Sequence, residues 1–289
     1  MAFKVTEIQA KSIIGNTSVP SADYVINPYT GCQFGCMYCF ATFMGRFVGE
    51  SNNNWGNYVY VKTNAVELME KDIKRLMKKT PHPKVVLSTV TDPYQGVENK
   101  YRLTRGILKV FADNNYKGRV GILTKSPIVL KDIDILQQIE NVEVGLSITT
   151  SDDKLSRFLE VQAPLASTRL RTLQKLNSAK INTYAFVGPF LPHLALKPEL
   201  IDNLFSKIKK VGTNTVKIEY LNLPKYVRPR LNKLLKSESK EVQDIYKSSQ
   251  LKKYRTDLEP IIRQSLETHG LKLKFDKIVT HIEEQNLKE

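Results

Sequence analysis

Cysteine is scarce in this chain: three residues in 289, together with four histidines and one tryptophan. An odd number of thiols confined to positions 32–39 argues against a disulfide framework and for metal binding in a reducing compartment. No fourth cysteine is available to close a tetrahedral zinc site. His82, His193, His269 and His281 are distant in sequence, so such a site would need a long-range partner. No run of about 18 apolar residues offers a membrane span, and the N-terminus lacks the apolar stretch and cleavage site of a signal peptide. The expectation is a cytoplasmic protein with no membrane partner. No internal repeat or low-complexity segment is present.

Acidic residues are also few: 29 Asp and Glu face 44 Lys and Arg, a formal net charge of +15. That excess favours a polyanionic partner such as a nucleic acid through phosphate contacts. A lysine-rich solvated surface is an equally good account of it. The length suits one barrel with an extension, or two domains.

Against these absences, one stretch concentrates the chemistry: Asn27-Pro28-Tyr29-Thr30-Gly31-Cys32-Gln33-Phe34-Gly35-Cys36-Met37-Tyr38-Cys39-Phe40. Three thiolates at spacing C-x3-C-x2-C can converge on one centre, and soft sulfur selects zinc, copper(I) or an iron-sulfur cluster. A 4Fe-4S cluster normally takes four cysteines. With three, one iron stays open, which suits a site that binds a substrate or cosubstrate.

Residues 1–22 read as an extended lead-in. Tyr24–Asn27 is a short β-prone segment broken by Pro28 and Gly31, which places the cysteines in the loop after a strand. Residues 41–57, with Gly45, Gly49, Gly56 and three asparagines at 52–54, form a long turn-rich insertion. Tyr58–Lys62 alternates as a strand, and Asn64 caps a helix to about Lys79. Strands then alternate with helices: Val85–Val90, helix Leu103–Asn115, Val120–Thr124, helix Ile128–Ile139, Val142–Ile148, helix Arg169–Ala179, Ile181–Val187, helix Pro198–Lys210 and Thr215–Tyr220. Apolar strands alternating with amphipathic helices indicate a parallel sheet covered by helices. Residues 221–289 differ: from Lys225 to Thr256 ten basic residues face three acidic ones, with Tyr226, Tyr246 and Tyr254 interleaved. This segment is read as a basic, mainly helical extension, either contacting phosphates and stacking on bases or presenting a solvated face whose tyrosines pack on the barrel.

The spacing C-x3-C-x-aromatic-C, with Tyr38 as the aromatic, resembles the signature of the radical S-adenosylmethionine (SAM) superfamily. The resemblance implies a partial (βα)6 TIM-type barrel over residues 23–220, a 4Fe-4S cluster held by Cys32, Cys36 and Cys39, and reductive cleavage of SAM to a 5′-deoxyadenosyl radical. It also implies a reductant such as flavodoxin or ferredoxin. Together with Asn-Pro-Tyr-x-Gly-Cys, the strings Thr91-Asp92-Pro93-Tyr94-Gln95, Thr124-Lys125-Ser126-Pro127 and Ser147-Ile148-Thr149 resemble the spore photoproduct lyase-like branch. That likeness implies that Thr91 and Asp92 receive the SAM amino group, Lys125 pairs with its carboxylate, Ser147 bonds the ribose, Tyr38 lies against adenine and Gly188 allows close backbone approach. Glu160 and Arg169 are expected as a structural ion pair or a site pair, and His193 as a loop histidine.

The branch is departed from at one point. The lyase that reverses thymine photodimers uses a cysteine outside the cluster to return a hydrogen atom, and this chain has none. Either a tyrosine does so or the reaction differs; a second cysteine-ligated cluster is excluded. The expected activity is a radical SAM reaction on a nucleic acid. A protein or small-molecule substrate, or a nucleic-acid-binding protein with a structural metal, stand as alternatives.

Overall fold

The computed structural model describes residues 3–17, 19, 22–79 and 81–281. Pro20 of the lead-in and residues 282–289 of the extension lie outside the described residues. The strands are β1 Lys4–Ile8, β2 Ile14–Asn16, β3 Tyr24–Ile26, β4 Tyr29–Thr30, β5 Tyr58–Lys62, β6 Val85–Leu87, β7 Val120–Thr124, β8 Val142–Ser147, β9 Thr183–Phe190, β10 Thr215–Tyr220 and β11 Lys272–Leu273. The helices are α1 Ala65–Met77, α2 Glu98–Tyr101, α3 Leu103–Asp113, α4 Ile133–Leu136, α5 Asp153–Leu159, α6 Ala166–Ser178, α7 Pro192–Ala195, α8 Pro198–Lys210, α9 Arg228–Leu235, α10 Lys240–Ser248 and α11 Lys252–Thr268.

Strands β3, β6, β7, β8, β9 and β10 lie side by side and parallel, with helices in the crossovers: the (βα)6 order of a partial TIM-type barrel. Strand β2 extends this sheet antiparallel to β3, and β11 extends it parallel to β10. Alternate residues along the strands (Val85, Leu87, Val120, Ile122, Val144, Leu146, Val187, Ile218) join one apolar cluster with Met69, Ile107, Phe111, Leu173 and Phe205 of the covering helices. The other face carries Gly121, Glu143, Gly145, Ser147, Tyr184, Phe186, Gly188 and Lys217. There the small residues leave room for rings, and an ideal Cβ on Gly145 would come within 2.3 Å of Tyr184.

Several sequence boundaries shift for local reasons. The lead-in is built into the fold: β1 pairs with β5, and β4 completes a separate three-stranded sheet. Strand β6 stops at Leu87 because Ser88 adopts a left-handed conformation (φ 62°), its N–H reaching Ile26 O and the next N–H reaching Asn27 Oδ1. The expected helix 128–139 is instead a 3-10 turn, Pro127–Asp132, followed by α4. Buried Asp132 is held by Tyr94 Oη at 3.0 Å and Arg105 Nη1 at 2.8 Å, which ties the chain down before a regular helix can run. Insertion 41–57 contains two 3-10 segments, Phe40–Phe47 and Asn52–Asn54.

Strand β4 is anchored by a buried acid. Tyr29 donates its hydroxyl to Glu98, which also accepts the Arg105 N–H at 3.1 Å. Burial pushes the Glu98 carboxyl up to about 7 against an ordinary 4.5, opposed by these hydrogen bonds. Between these values the folded chain keeps a proton that the unfolded chain has lost, so stability falls as pH rises through this window, by at most about 3 kcal/mol. Glu98→Gln is therefore expected to flatten the pH dependence of the urea midpoint between about pH 5 and 8. An unchanged slope would mean that Glu98 ionises freely in the fold.

Candidate active site

The cysteine loop follows β4 and is tied through Gly31 O to Thr91, beyond the end of β6, which sets it at the edge where the parallel strands end, the edge on which barrels of this kind place ligands. Gly31 starts it in a conformation only glycine adopts readily (φ 92°), and a Cβ there would lie 2.6 Å from Tyr58 O. Gln33 and Gln95 clamp the loop reciprocally. Gln33 N–H donates to Gln95 Oε1 (2.9 Å), Gln33 Oε1 accepts from Val97 N (2.9 Å), and Gln95 Nε2 donates to Gly31 O (3.2 Å). From the other side, Gln162 N donates to Phe34 O at 3.1 Å and Met37 N to Leu159 O at 2.8 Å.

Cys32 and Cys36 are buried and Cys39 is half-buried. Burial raises all three thiols, Cys36 to about 12. Lys125 and Arg169 oppose the rise at Cys36, and Lys125 and Arg230 at Cys39. Buried thiolates would therefore need a cationic centre to hold their charge. Among the described residues, no three His, Cys, Asp or Glu side chains converge as a site for a single metal ion.

Glu160, just after α5, is the hub behind the loop. Its carboxylate receives hydrogen bonds from Arg169, Tyr38, Thr149 (3.1 Å) and Ser156 (3.0 Å), and Lys125 Nζ lies 3.9 Å away. Burial alone would raise this carboxyl, but Arg169, Lys125 and the hydrogen bonds hold it down at about 2. The Glu160 and Arg169 side chains are 1% and 0% exposed, so the pair is wholly internal. Arg169 also donates to Pro164 O (2.7 Å) and Ser147 O (3.2 Å), fastening the end of β8.

The other expected site residues fall around this hub. Lys125 Nζ donates to Ser147 Oγ at 2.9 Å and lies 5.9 Å from the centre of the Tyr38 ring. Thr91 Oγ1 donates to Gly31 O at 2.5 Å and accepts from Gln95. The buried Asp92 carboxylate accepts from Thr124 Oγ1 (2.6 Å) and Tyr94 N (2.9 Å) at Oδ1 and from Lys125 N (2.8 Å) at Oδ2. The space above Gly188 is taken by Phe186, whose Cζ would lie 2.1 Å from a Cβ at that position. His193 is not in a loop but on α7, its ring against Tyr246 and Nδ1 3.0 Å from the phenolic oxygen.

Two parts of the site were missed from sequence. Gln33 lies inside the cysteine motif, and its pairing with Gln95 had no local signal. Arg230, on α9, donates to Trp55 O at 3.2 Å and Gly35 O at 3.5 Å, and so reaches the loop from the C-terminal extension.

The sequence pattern of the radical SAM superfamily matches residues 26–197. The chain belongs to the radical SAM superfamily. An uncharacterized protein of Methanocaldococcus jannaschii is 35% identical over 222 residues, 76% of this chain and 79% of the relative. An uncharacterized protein of Mycobacterium tuberculosis is 30% identical over 227 residues, 75% of this chain; the match spans 65% of that longer relative. Among solved structures, a spore photoproduct lyase variant matches with TM-score 0.73 at 16% identity, covering 96% of this chain and 82% of the lyase. Spore photoproduct lyase complexed with dinucleoside spore photoproduct matches with TM-score 0.72 at 16% identity, covering 95% and 82%. The fold is thus shared with these structures, at an identity that speaks to fold alone.

Because Arg169 is fully buried, Glu160→Gln would leave its guanidinium without a counter-charge. A loss of about 3–5 kcal/mol in urea unfolding is expected. The ionised carboxylate favours the fold, so this contribution is complete above about pH 4.5 and lost as pH falls toward 2. A midpoint within error of the parent would show that Arg169 is satisfied by its carbonyl partners alone.

Proposed function

We propose that this protein reductively cleaves SAM at a 4Fe-4S cluster held by Cys32, Cys36 and Cys39, and uses the product to attack a nucleic acid. The observation carrying the SAM reading is the convergence of the cysteine loop with Lys125, Ser147 and Glu160 at one edge of the sheet. The residues fit the cofactors. Soft thiol donors are buried among cations, and Arg230 Nη1 is buried with no hydrogen-bond partner among the described residues. When bound, the cluster and SAM together supply a 5′-deoxyadenosyl radical that removes a hydrogen atom from substrate. The chain's part is positional. Lys125 offers an ammonium for a carboxylate, Ser147 a hydroxyl for a ribose, and Glu160 keeps Tyr38 and Arg169 in place behind the loop.

The nucleic-acid reading rests on charge and on aromatic surface next to Cys39. Phe40 and Phe47 are 46% and 63% exposed, and the Arg46 guanidinium lies 4.7 Å from the Phe47 ring centre. Beside them a cavity of ≈ 340 Å³ is lined by Phe43, Arg46, Asn52 and Tyr226. Rings interleaved with cations are the surface on which bases stack and phosphates pair. Of the three tyrosines in the extension, Tyr246 is buried and the Tyr254 hydroxyl is enclosed, so Tyr226 alone lines this cavity. The structurally similar lyase binds a dinucleoside photoproduct; this chain, with no cysteine beyond position 39, lacks a thiol for hydrogen return, so the same reaction is not assigned to it.

A compact acidic substrate is the second reading, favoured by Lys217. Ser147, Phe186 and Lys217 are successive partners across β8, β9 and β10. The Lys217 ammonium sits 5.1 Å from the Phe186 ring centre on the inner face.

Anaerobic reconstitution with iron and sulfide, then reduction and SAM, should yield 5′-deoxyadenosine. Cys36→Ala should abolish both iron binding and product, while Lys125→Ala should weaken SAM binding and leave the cluster spectrum intact. Product from a chain that binds no iron would refute the assignment. Reversing Lys225, Lys233, Lys236 and Arg46 to Glu should weaken single-stranded nucleic-acid binding and lower its salt slope by roughly one for each side chain that had neutralised a phosphate. Unchanged affinity would shift the substrate to the acidic small molecule.

A further inference from the structure

Residue 230 lies outside the segment matched by the superfamily pattern, 26–197, yet it touches the cysteine loop. Helix α9 begins with Pro229 in its first turn and buries Leu231 and Leu235, so its course against the barrel is fixed and Arg230 is delivered to one place. There, Nη2 lies 3.5 Å from Gly35 O, 3.2 Å from Trp55 O and 3.8 Å from Met37 Sδ. Gly35 and Gly56 are themselves in contact, a Cβ on Gly35 coming 3.3 Å from Gly56 Cα. Arg230 thus bridges the loop between the first two cysteines and the segment beneath it.

One amino group is thereby spent on two carbonyls, and the other is not. Nη1 is buried with no partner among the described residues, in a guanidinium that is only half-buried overall. A buried N–H without an acceptor costs about 1–3 kcal/mol, more when charged, so the arrangement calls for an acceptor that the described residues do not supply. The acidic groups acting on this guanidinium are Cys39, Cys36 and Tyr58, with no carboxylate among them. Burial lowers its affinity for the proton, and those three raise it. The Tyr58 hydroxyl is likewise buried without a partner among the described residues, a second orphaned polar group near the cysteine loop.

We propose that Arg230 is a positioning residue for the iron-sulfur cluster, holding the loop through Nη2 and turning Nη1 toward cluster sulfur, so that the C-terminal extension sets the cluster's reduction potential. The inference rests on the cluster assignment above. Reduction adds one electron from an external one-electron donor to the cluster, with no bond broken and no proton required. A fixed cation and an N–H donor at sulfur favour the more negative, reduced state, and such contacts are among the levers that set iron-sulfur potentials. The extension then makes reduction easier and keeps the loop shaped for it.

The test is an EPR-monitored redox titration of reconstituted full-length protein, comparing the parent with Arg230→Gln and Arg230→Lys, with iron and sulfide measured on each. In Arg230→Gln the ratio of reduced to oxidised cluster at a fixed potential should fall about tenfold, a downward shift of about 59 mV for a one-electron couple. Arg230→Lys, which restores a cation without the planar fork, should fall between the two. EPR reads only molecules that carry a cluster, so loss of occupancy and change of potential are separated. A fully loaded Arg230→Gln protein with the parental potential would overturn the proposal. If Arg230→Gln folds but holds no cluster, recovery of iron in Arg230→Lys supports the positioning role, and failure to recover it reduces Arg230 to a packing residue. Failure of the parent itself to bind iron would instead strike the cluster assignment.

Discussion

The buried carboxylate of Glu160 is the constraint on which the site depends. A charge taken fully out of water is tolerated only when paired and hydrogen-bonded. Here that requirement recruits Arg169 from α6, Tyr38 from the cysteine loop, Thr149 from the end of β8 and Ser156 from α5. Elements distant in sequence are locked to one point because each satisfies part of the same ionic demand. The loop is pinned from behind by Glu160, from one side by the Gln33–Gln95 clamp, and from beneath by Arg230.

Charge is distributed unevenly around the thiols. Lys125, Arg169 and Arg230 act on Cys36 or Cys39, while the nearby acids are Glu160, neutralised by Arg169, and Asp92, hydrogen-bonded by its neighbours. The balance is positive where soft anionic ligands gather. This electrostatic preparation is what a cluster with thiolate ligands needs, and it comes from three different parts of the chain: the end of β7, α6 and the extension. The extension therefore does more than carry the basic surface. It packs α9 so that one of its arginines becomes part of the cysteine environment.

Much of this was legible in the sequence. The cysteine spacing and the polar strings after successive apolar strands placed the family and the barrel, and pointed to the edge that carries the candidate site, because parallel strands must alternate with helices and end at a common rim. What stayed hidden was set by tertiary contacts. Val85–Val90 reads as one strand, but the left-handed turn at Ser88 is held by Ile26 and Asn27. Residues 128–139 have helical spacing, but Asp132 answers to Tyr94 and Arg105. The lead-in looked featureless because β1 finds its partner β5 more than fifty residues away. Arg230 was one of ten basic residues in its segment, and nothing local separates a half-buried guanidinium, one of whose nitrogens is enclosed without a partner among the described residues, from a solvated one.

The most direct test of the central claim is spectroscopic. The reduced, reconstituted protein should show the EPR signal of a 4Fe-4S cluster, and adding SAM should change it, since a cluster held by three cysteines keeps an iron free for the cosubstrate. A signal indifferent to SAM, or a protein that takes up zinc and stays EPR-silent, would contradict the account.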